Sequence, residues 1–541
     1  MIIGLFFSIL SIPLLYLNDN HLNNAQFVEF EDPNGDKLKG KYYPGSKEGG
    51  VILLEGFSSD QTALKPIASE FSKIGLHVFS FDFSGQGKSP GALGFDNAET
   101  DRLAKQVTSA LEIFMSVSGL NESDILFLGH SMGARVGLQA SLIGNLNISG
   151  LILLGVQINL LENVQSSFFT GVSDTTLEWV QDLDYNTPPV DILIITSTLD
   201  DVLTPQSADA LIDKLNGNSS SYKRELIVTE GIFHNYEIYS PKIISKALNW
   251  GVINLNLDSS ANYKATITVQ RNLLWILFAS AMFLFAVSGN VYFSTESEET
   301  ERDKHNFSLV KIENSRKYFI MKLLLWIAAL PVALLTFLVL FLIPIGLPIF
   351  ALIYVGFIGS YGLLLLLLYW KGKTPATKGE FKFNIPDKVE PKKNQIIAIG
   401  LILLIIVLIT LFFNSGFYYL YALNGRFTWL IILTILTIPG FFIGQIETIF
   451  IRNSLRKNKI YLFINTLIGL VPFFLFTLLF LALGSTSGMI SGLHGLIILS
   501  FIIISGNLIK KIGKTISITV VYQAFLIQYL ILPQTALFFI F

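Results

Sequence analysis

The chain has 541 residues, 51% of them apolar and 14% charged, with a formal net charge of −2 and no cysteine. That length allows two or more domains, and the near-zero charge argues against a nucleic-acid partner. The lack of cysteine excludes disulfides, thiolate metal sites and a cysteine nucleophile. The apolar excess is uneven: residues 18–270 mix polar and apolar segments, whereas 272–541 is dominated by long Leu/Ile/Phe runs.

The N-terminal "MIIGLFFSILSIPLLYL" is apolar but short. It reads as a membrane anchor or a signal peptide, and the absence of a leading basic residue and of a small-residue cleavage site favours the anchor. From residue 27 strand-like and helix-like stretches alternate. "FVEFE" and "KLKGKYYP" flank Asn34-Gly35 as an opening hairpin. "VILLEG", "LHVFSFD", "ILFLGH", "GLILLGV", "DILIITS" and "ELIVTE" follow as buried strands. Helical stretches lie between them near 60–74, 97–118, 132–144, 205–216 and 241–250. Eight strands with intervening helices predict one α/β domain built on a mostly parallel sheet.

Two pentapeptides have the form G-x-S-x-G, "GKSPG" at 87–91 and "GHSMG" at 129–133. A nucleophile elbow needs a buried strand, a tight strained turn and then a helix. Ser131 has "ILFLGH" before it and "MGARVGLQASLIG" after it, while Ser89 runs into Pro90-Gly91 and reads as loop. The "GQGKS" segment is no P-loop, because Asp82 stands where the first glycine belongs. A serine hydroxyl is a weak nucleophile until a base takes its proton. His234, beside Gly231 in the loop after the last strand, is the candidate base. His77 lies inside a strand and reads as structural, and His130 as a packing neighbour of the nucleophile. Asp200 and Asp201 both follow the seventh strand as candidate acids.

Beyond the α/β region, eight apolar runs near 272–293, 320–343, 346–369, 396–414, 427–447, 460–484, 489–509 and 516–540 approach the length that crosses a ~30 Å hydrocarbon layer. Alternate loops carry twenty Lys/Arg, and the loops of opposite parity only Arg426. The basic loops are therefore expected in the cytoplasm and residues 18–270 on the outer face. Glu447, His494 and Asn465 are the polar candidates inside or near the spans; they read as helix-end groups and inter-helix hydrogen bonds rather than a transport site. The expected organisation is an anchor or signal over 1–17, an α/β domain over 18–265 and a polytopic all-α membrane bundle over 272–541.

The order of features in residues 27–252 resembles the α/β-hydrolase superfamily, in particular its serine esterase, lipase and peptidase branches. The resemblance is carried by Gly56-Phe57 after the third strand, "FDFSGQGKSPG" after the fourth, "GHSMG" after the fifth, "LDDVLTP" after the seventh and "GIFHNYEIY" after the eighth. It implies a Ser, Asp, His triad in that order. Ser131 and His234 fill two places, and the spacing such families keep to a following proline, here Pro205, selects Asp201, with Asp200 as the alternative. The implied oxyanion hole uses the backbone N–H groups of Phe57 and Met132. Residues 160–190, with Phe168, Phe169, Leu177 and Trp179, fall where relatives insert a lid. Two residues depart from the pattern: Glu55 where a histidine is common, and Ser84 where an arginine is. A Glu55 carboxylate pointing inward would oppose a developing oxyanion. The resemblance calls for no cofactor and no metal.

The expected function is a membrane-anchored serine hydrolase acting on small-molecule or lipid esters. A peptidase or amidase, an acyltransferase and a non-catalytic binding or sensing domain remain the alternatives.

Overall fold

The computed structural model describes residues 1–94, 98–156, 190–216, 222–293, 310–340, 346–372, 376–378, 392–420, 426–455, 458–482 and 484–538. The expected lid over 160–190 lies almost wholly outside them.

Among the described residues eight strands form one sheet: β1 (Gln26–Glu31), β2 (Lys37–Tyr43), β3 (Gly50–Leu54), β4 (His77–Asp82), β5 (Ile125–His130), β6 (Gly150–Leu154), β7 (Asp191–Leu199) and β8 (Arg224–Phe233). Their spatial order is β1-β2-β4-β3-β5-β6-β7-β8. β2 pairs antiparallel with β1 and β4, and every later pair is parallel. The β1–β2 hairpin turns at Gly35 (φ 84°), where Asp32 Oδ1 accepts the N–H groups of Asn34 and Asp36, each at 2.9 Å.

The central strands are apolar runs because both their faces are covered. Side chains alternate between faces, so Ile52 and Leu54 of β3 join a core that includes Phe79, Phe81 and Phe127. Val51 and Leu53 join the opposite core with Leu126, Leu128, Ile152 and Leu154. The first core is covered by α3 (Ala98–Ser118), α4 (Met132–Ile143) and α5 (Pro205–Asn216), the second by α2 (Lys65–Lys73) and α6 (Pro241–Asn254).

The remaining helices form the second half of the molecule: α1 (Ile2–Asn18), α7 (Thr266–Tyr292), α8 (Ser315–Leu340), α9 (Ile349–Trp370), α10 (Lys392–Phe413), α11 (Arg426–Ser454), α12 (Asn458–Ala482), α13 (Thr486–Gly513) and α14 (Ile516–Ile531). Among the described residues, seven helices are long and apolar enough to cross a membrane, and α1 and the stretch Val355–Trp370 are shorter apolar helices beside them. Each of the eight apolar runs expected after the sheet half coincides with one helix from α7 to α14.

Helix ends sort to two sides. On one side Asn18 donates to the Ile267 carbonyl (3.1 Å), and Thr268 donates its N–H (2.7 Å) and hydroxyl (3.0 Å) to Glu70. There too the Tyr419 N–H meets Asp60 (2.7 Å), and Arg426 meets the carbonyls of Gly85 (2.8 Å) and Gly87 (3.2 Å). This is the side on which the sheet half sits. At the other side the Ile312 N–H reaches Ser454 Oγ (2.9 Å), and Lys511 reaches the Asn290 carbonyl (2.6 Å). The described basic loop residues, such as Lys311, Arg316, Arg452 and Lys514, occupy that far side.

Several polar residues inside the bundle pair with one another. Lys322 of α8 pairs with Glu447 of α11 (2.5 Å) and donates to Asn465 of α12, while Tyr318 (2.9 Å) and Tyr369 (3.2 Å) donate to Glu447. Glu447 and Asn465 are thus members of a buried inter-helix network rather than helix-end groups. Lys322 belongs to this network and not to a basic loop.

Candidate active site

Ser131 links β5 to α4 with φ 56° and ψ −118°, a conformation that strains a residue bearing a Cβ. The turn is possible because its flanks are glycines. A Cβ on Gly129 would lie 2.4 Å from the Ala134 nitrogen, and one on Gly133 would lie 2.3 Å from the Leu54 carbonyl oxygen. The Ser131 N–H is held by the Leu154 carbonyl of β6 at 2.9 Å. Met132 opens α4, in the turn whose N–H groups have no acceptor within the helix. A Cβ on Gly56 would lie 3.1 Å from His130 Nδ1 and 3.4 Å from Ser131 Cβ, so the chain at Gly56 packs closely against the serine turn.

His234 begins the turn after β8. Its Nδ1 lies 3.1 Å from Asp200 Oδ1 and 3.2 Å from Oδ2. The ring stacks on His130, the neighbour of Ser131, with centroids 4.8 Å apart. Burial pulls the His234 pKa down, but the Asp200 carboxylate outweighs it and holds the imidazole above its ordinary range. Burial raises the Asp200 pKa, yet His234 and the N–H groups of Leu203 (3.0 Å) and Val202 (2.7 Å) bring it below the usual value. His130 is pushed down to about 3 by burial and by His234, so it is neutral. Its Nε2 lies 3.2 Å from the His234 carbonyl, an acceptor only, which places the proton on Nε2.

The expected pairing of Asp201 with His234 is not what the fold contains. Asp201 points the other way and accepts from Ser485 Oγ (3.0 Å), Thr486 Oγ1 (3.0 Å), Ser487 Oγ (2.5 Å) and the Ser487 N–H (3.1 Å) at the start of α13. Asp200, one residue earlier, turns back over its own loop to reach the base.

Glu55 also differs from the inward carboxylate considered above. Its Oε1 accepts from the Phe83 N–H and from Gln86 Nε2, both at 3.0 Å. Burial, with Asp82 and Asp60 adding to it, raises its pKa well above the carboxylate range, so it carries no charge against an oxyanion. Gln86 also donates to the Gly56 carbonyl (3.1 Å) and so braces the chain beside the serine turn. The rejected Ser89 is occupied structurally: it donates to the Asp82 carbonyl (2.6 Å) and accepts the Lys39 N–H (3.0 Å). His77 hydrogen-bonds the Tyr42 hydroxyl at 2.6 Å, the structural role its strand position suggests.

Two residues that sequence reasoning missed complete the cluster. Glu237 is fully buried, and burial, then the Asp200 charge, pushes its pKa well above the usual carboxylate range. Gly155, at φ 47° after β6, leaves the space in which these groups meet. A Cβ there would come within 2.4 Å of Glu237 Oε2, 2.7 Å of His234 Nδ1 and 2.8 Å of Asp200 Oδ2. Among the described residues, His130, His234 and Glu237 form the one group whose ligand atoms would suit a metal ion, all within 4.8 Å of one another. In this fold His234 Nδ1 is engaged by Asp200 and His130 Nε2 by a carbonyl.

Residues 45–183 match the family described as serine aminopeptidase, S33. The sheet half has the α/β-hydrolase fold. Among curated proteins, an uncharacterised protein of Mycobacterium tuberculosis H37Rv is 28% identical over 114 residues, which span 20% of this chain and 39% of that protein. YfhR of Escherichia coli K12, also uncharacterised, is 23% identical over 218 residues, 38% of this chain and 73% of the relative. Putative esterase/lipase 2 of Mycoplasma genitalium is 28% identical over 116 residues, 21% of this chain and 40% of the relative. Among solved structures, the Pyrococcus furiosus esterase Pf2001 aligns at 17% identity over 43% of this chain and 93% of its own, with a TM-score of 0.35. A carboxyl esterase from Bacillus coagulans aligns at 17% identity over 43% and 97%, with a TM-score of 0.34. In this α/β-hydrolase fold the strand ends carrying Ser131, Asp200 and His234 lie on the side that meets the helical half.

Proposed function

We propose that the protein is a membrane-anchored serine hydrolase that cleaves carboxylic esters through an acyl-enzyme. The observation that carries this reading is the strained Ser131 at the β5–α4 turn, whose chain neighbour His130 stacks on His234 of the buried His234–Asp200 pair. In the proposed reaction His234 Nε2 accepts the Ser131 proton as Oγ attacks the ester carbonyl carbon. Asp200 holds the Nδ1–H tautomer and stabilises the imidazolium. The N–H groups of Phe57 and Met132 receive the oxyanion. The intermediate then expels the alcohol, which takes the proton from His234. Water, deprotonated by the same imidazole, releases the acid and restores the serine.

The position of the sheet half at the bundle end opposite the basic loops supports an outer-face location under the positive-inside rule. It also supports lipid esters as substrates, since the site lies where headgroups would be. The relative named as a putative esterase/lipase agrees with ester cleavage. The family description favours a second reading, a peptidase or amidase served by the same residues.

The test is a fluorophosphonate probe on the full chain. Wild type labels and Ser131→Ala does not; a folded wild type that stays unlabelled refutes the reading. Matched p-nitrophenyl esters and p-nitroanilides of one acyl group then decide between ester and amide.

A further inference from the structure

The loop bearing Asp200 and the turn bearing His234 are both tied to one helix of the other half. Asp201 gathers four hydrogen bonds from Ser485, Thr486 and Ser487. Ser485 also caps α13, accepting the Gly488 N–H at 3.2 Å. A carboxylate at a helix N-terminus is further favoured by the orphan N–H groups and the dipole there. Two turns along the same helix, His494 Nε2 lies 2.6 Å from the hydroxyl of Tyr236, two residues after His234. We propose that α13 is a positioning element of the catalytic site, holding the acid loop through Asp201 and the base turn through His494–Tyr236 so that Asp200 and His234 stay in register.

The geometry explains why one helix serves both loops. Asp200 and His234 follow β7 and β8, adjacent strands at the edge of the sheet, and among the described residues no further strand lies beside β8. Many groups in Arg224–Phe233 are only partly buried, so the sheet alone supports this edge weakly. A 28-residue helix packed into the bundle is a stiff reference against which both loops are fixed. The third loop is tied to the same half elsewhere: Phe538 packs on Phe57 with centroids 5.5 Å apart, and the Ala536 N–H reaches Ser58 Oγ at 3.3 Å. On this account the bundle organises the site as well as anchoring it.

The inference rests on the serine-hydrolase reading. Its test uses the full chain in lipid nanodiscs, with p-nitrophenyl butyrate turnover normalised to the fraction of protein that fluorophosphonate titrates. Asp201→Ala and His494→Ala each lower kcat by on the order of 10- to 100-fold with KM unchanged, as a small misplacement of reacting groups does. His494→Ala also moves the acid limb of the kcat/KM profile to lower pH, because a loosened Asp200 supports the His234 charge less; Asp201→Ala moves it in any case by removing a negative charge that acts on His234. The groups facing His234 are Asp200, Glu237 and His130, with the Asp201 charge acting from across the loop, and His494→Ala alters none of them. His494→Gln, which keeps a partner for Tyr236, returns kcat to within about threefold of wild type. A purely structural role would reduce the titratable fraction and leave kcat of both variants and the limb of His494→Ala in place, and that result overturns the inference alone. A wild type that neither labels nor turns over overturns the hydrolase reading and this inference with it.

Discussion

His130 and His234 stack at 4.8 Å and are joined by a hydrogen bond from the first ring to the carbonyl of the second, yet their protonation is opposed. Desolvation and the neighbouring ring keep His130 neutral, whereas Asp200 draws positive charge onto His234. Of the two rings only His234 is therefore held toward its protonated form, and His130 serves as a support for its backbone.

A pH profile follows. Below the raised His234 pKa the imidazole is protonated and accepts no proton from Ser131, so kcat/KM falls as pH falls through that value. The midpoint of the acid limb lies above the ordinary 6.5 of a histidine. Asp200→Asn removes the charge that raises it, so the limb moves to lower pH. The rate drops by on the order of 10⁴-fold, the loss seen when a triad acid is neutralised. Ester hydrolysis measured from pH 5 to 9 on both proteins checks this; a limb unmoved by Asp200→Asn refutes the assignment of Asp200.

Gly155→Ala puts a methyl group where Glu237, His234 and Asp200 converge, at a φ of 47° that also disfavours a Cβ. Something in the pair must move. We expect the titratable fraction to fall little and kcat to fall by about 100-fold or more, in line with the cost of small displacements at reacting groups. Activity within a few-fold of wild type would show that the cluster is loosely packed.

Glu237 gives a stability prediction. Its folded pKa lies well above the ordinary Glu value, so folding takes up a proton at neutral pH. Stability from this group is then greatest below about pH 4 and declines as pH rises toward the folded pKa. Glu237→Gln takes up no proton. Its unfolding midpoint therefore exceeds that of wild type at pH 8, by about 2–4 °C for each kcal/mol, and the gap closes toward pH 5. Scanning calorimetry at three pH values tests it; a gap that does not change with pH contradicts the neutral carboxyl.

Much of this was legible in the sequence because period and punctuation carry it. The first two strands follow from the hairpin signal at Asn34-Gly35, the other six from short apolar runs, and the Ser131 turn from its flanking glycines and the switch to helical spacing after Met132. The acid was not legible. Asp200 and Asp201 are identical side chains one residue apart in a loop, so a shift of one position reverses which side each faces. What separates them is the ring of hydroxyls at Ser485–Ser487, some 285 residues along the chain. Gly155 and Glu237 were missed for a related reason: a glycine after a strand and an acid in a turn are ordinary until the fold brings β6, β7 and the His234 turn to one point. The Lys322–Glu447 pair was hidden because each residue stands at the edge of its apolar run in the sequence, whereas the helices run on beyond it.

That pair supports the last prediction. Lys322, Glu447 and Asn465 join α8, α11 and α12, and both charges are almost wholly buried. Removing one partner leaves the other charge without compensation, at a cost of about 3–5 kcal/mol, whereas replacing both with apolar groups of similar volume is often neutral. Lys322→Met alone and Glu447→Leu alone should therefore each cut the yield of folded protein in detergent severalfold. The double variant should recover most of it. None of the three should change kcat per titrated Ser131, since the network lies toward the far end of the bundle from the catalytic loops. Size-exclusion yield and active-site titration on the four proteins measure both effects. A double variant no better than the worse single one would mean that the pair does more than balance charge, and a fall in kcat per site would place it in communication with the hydrolase half.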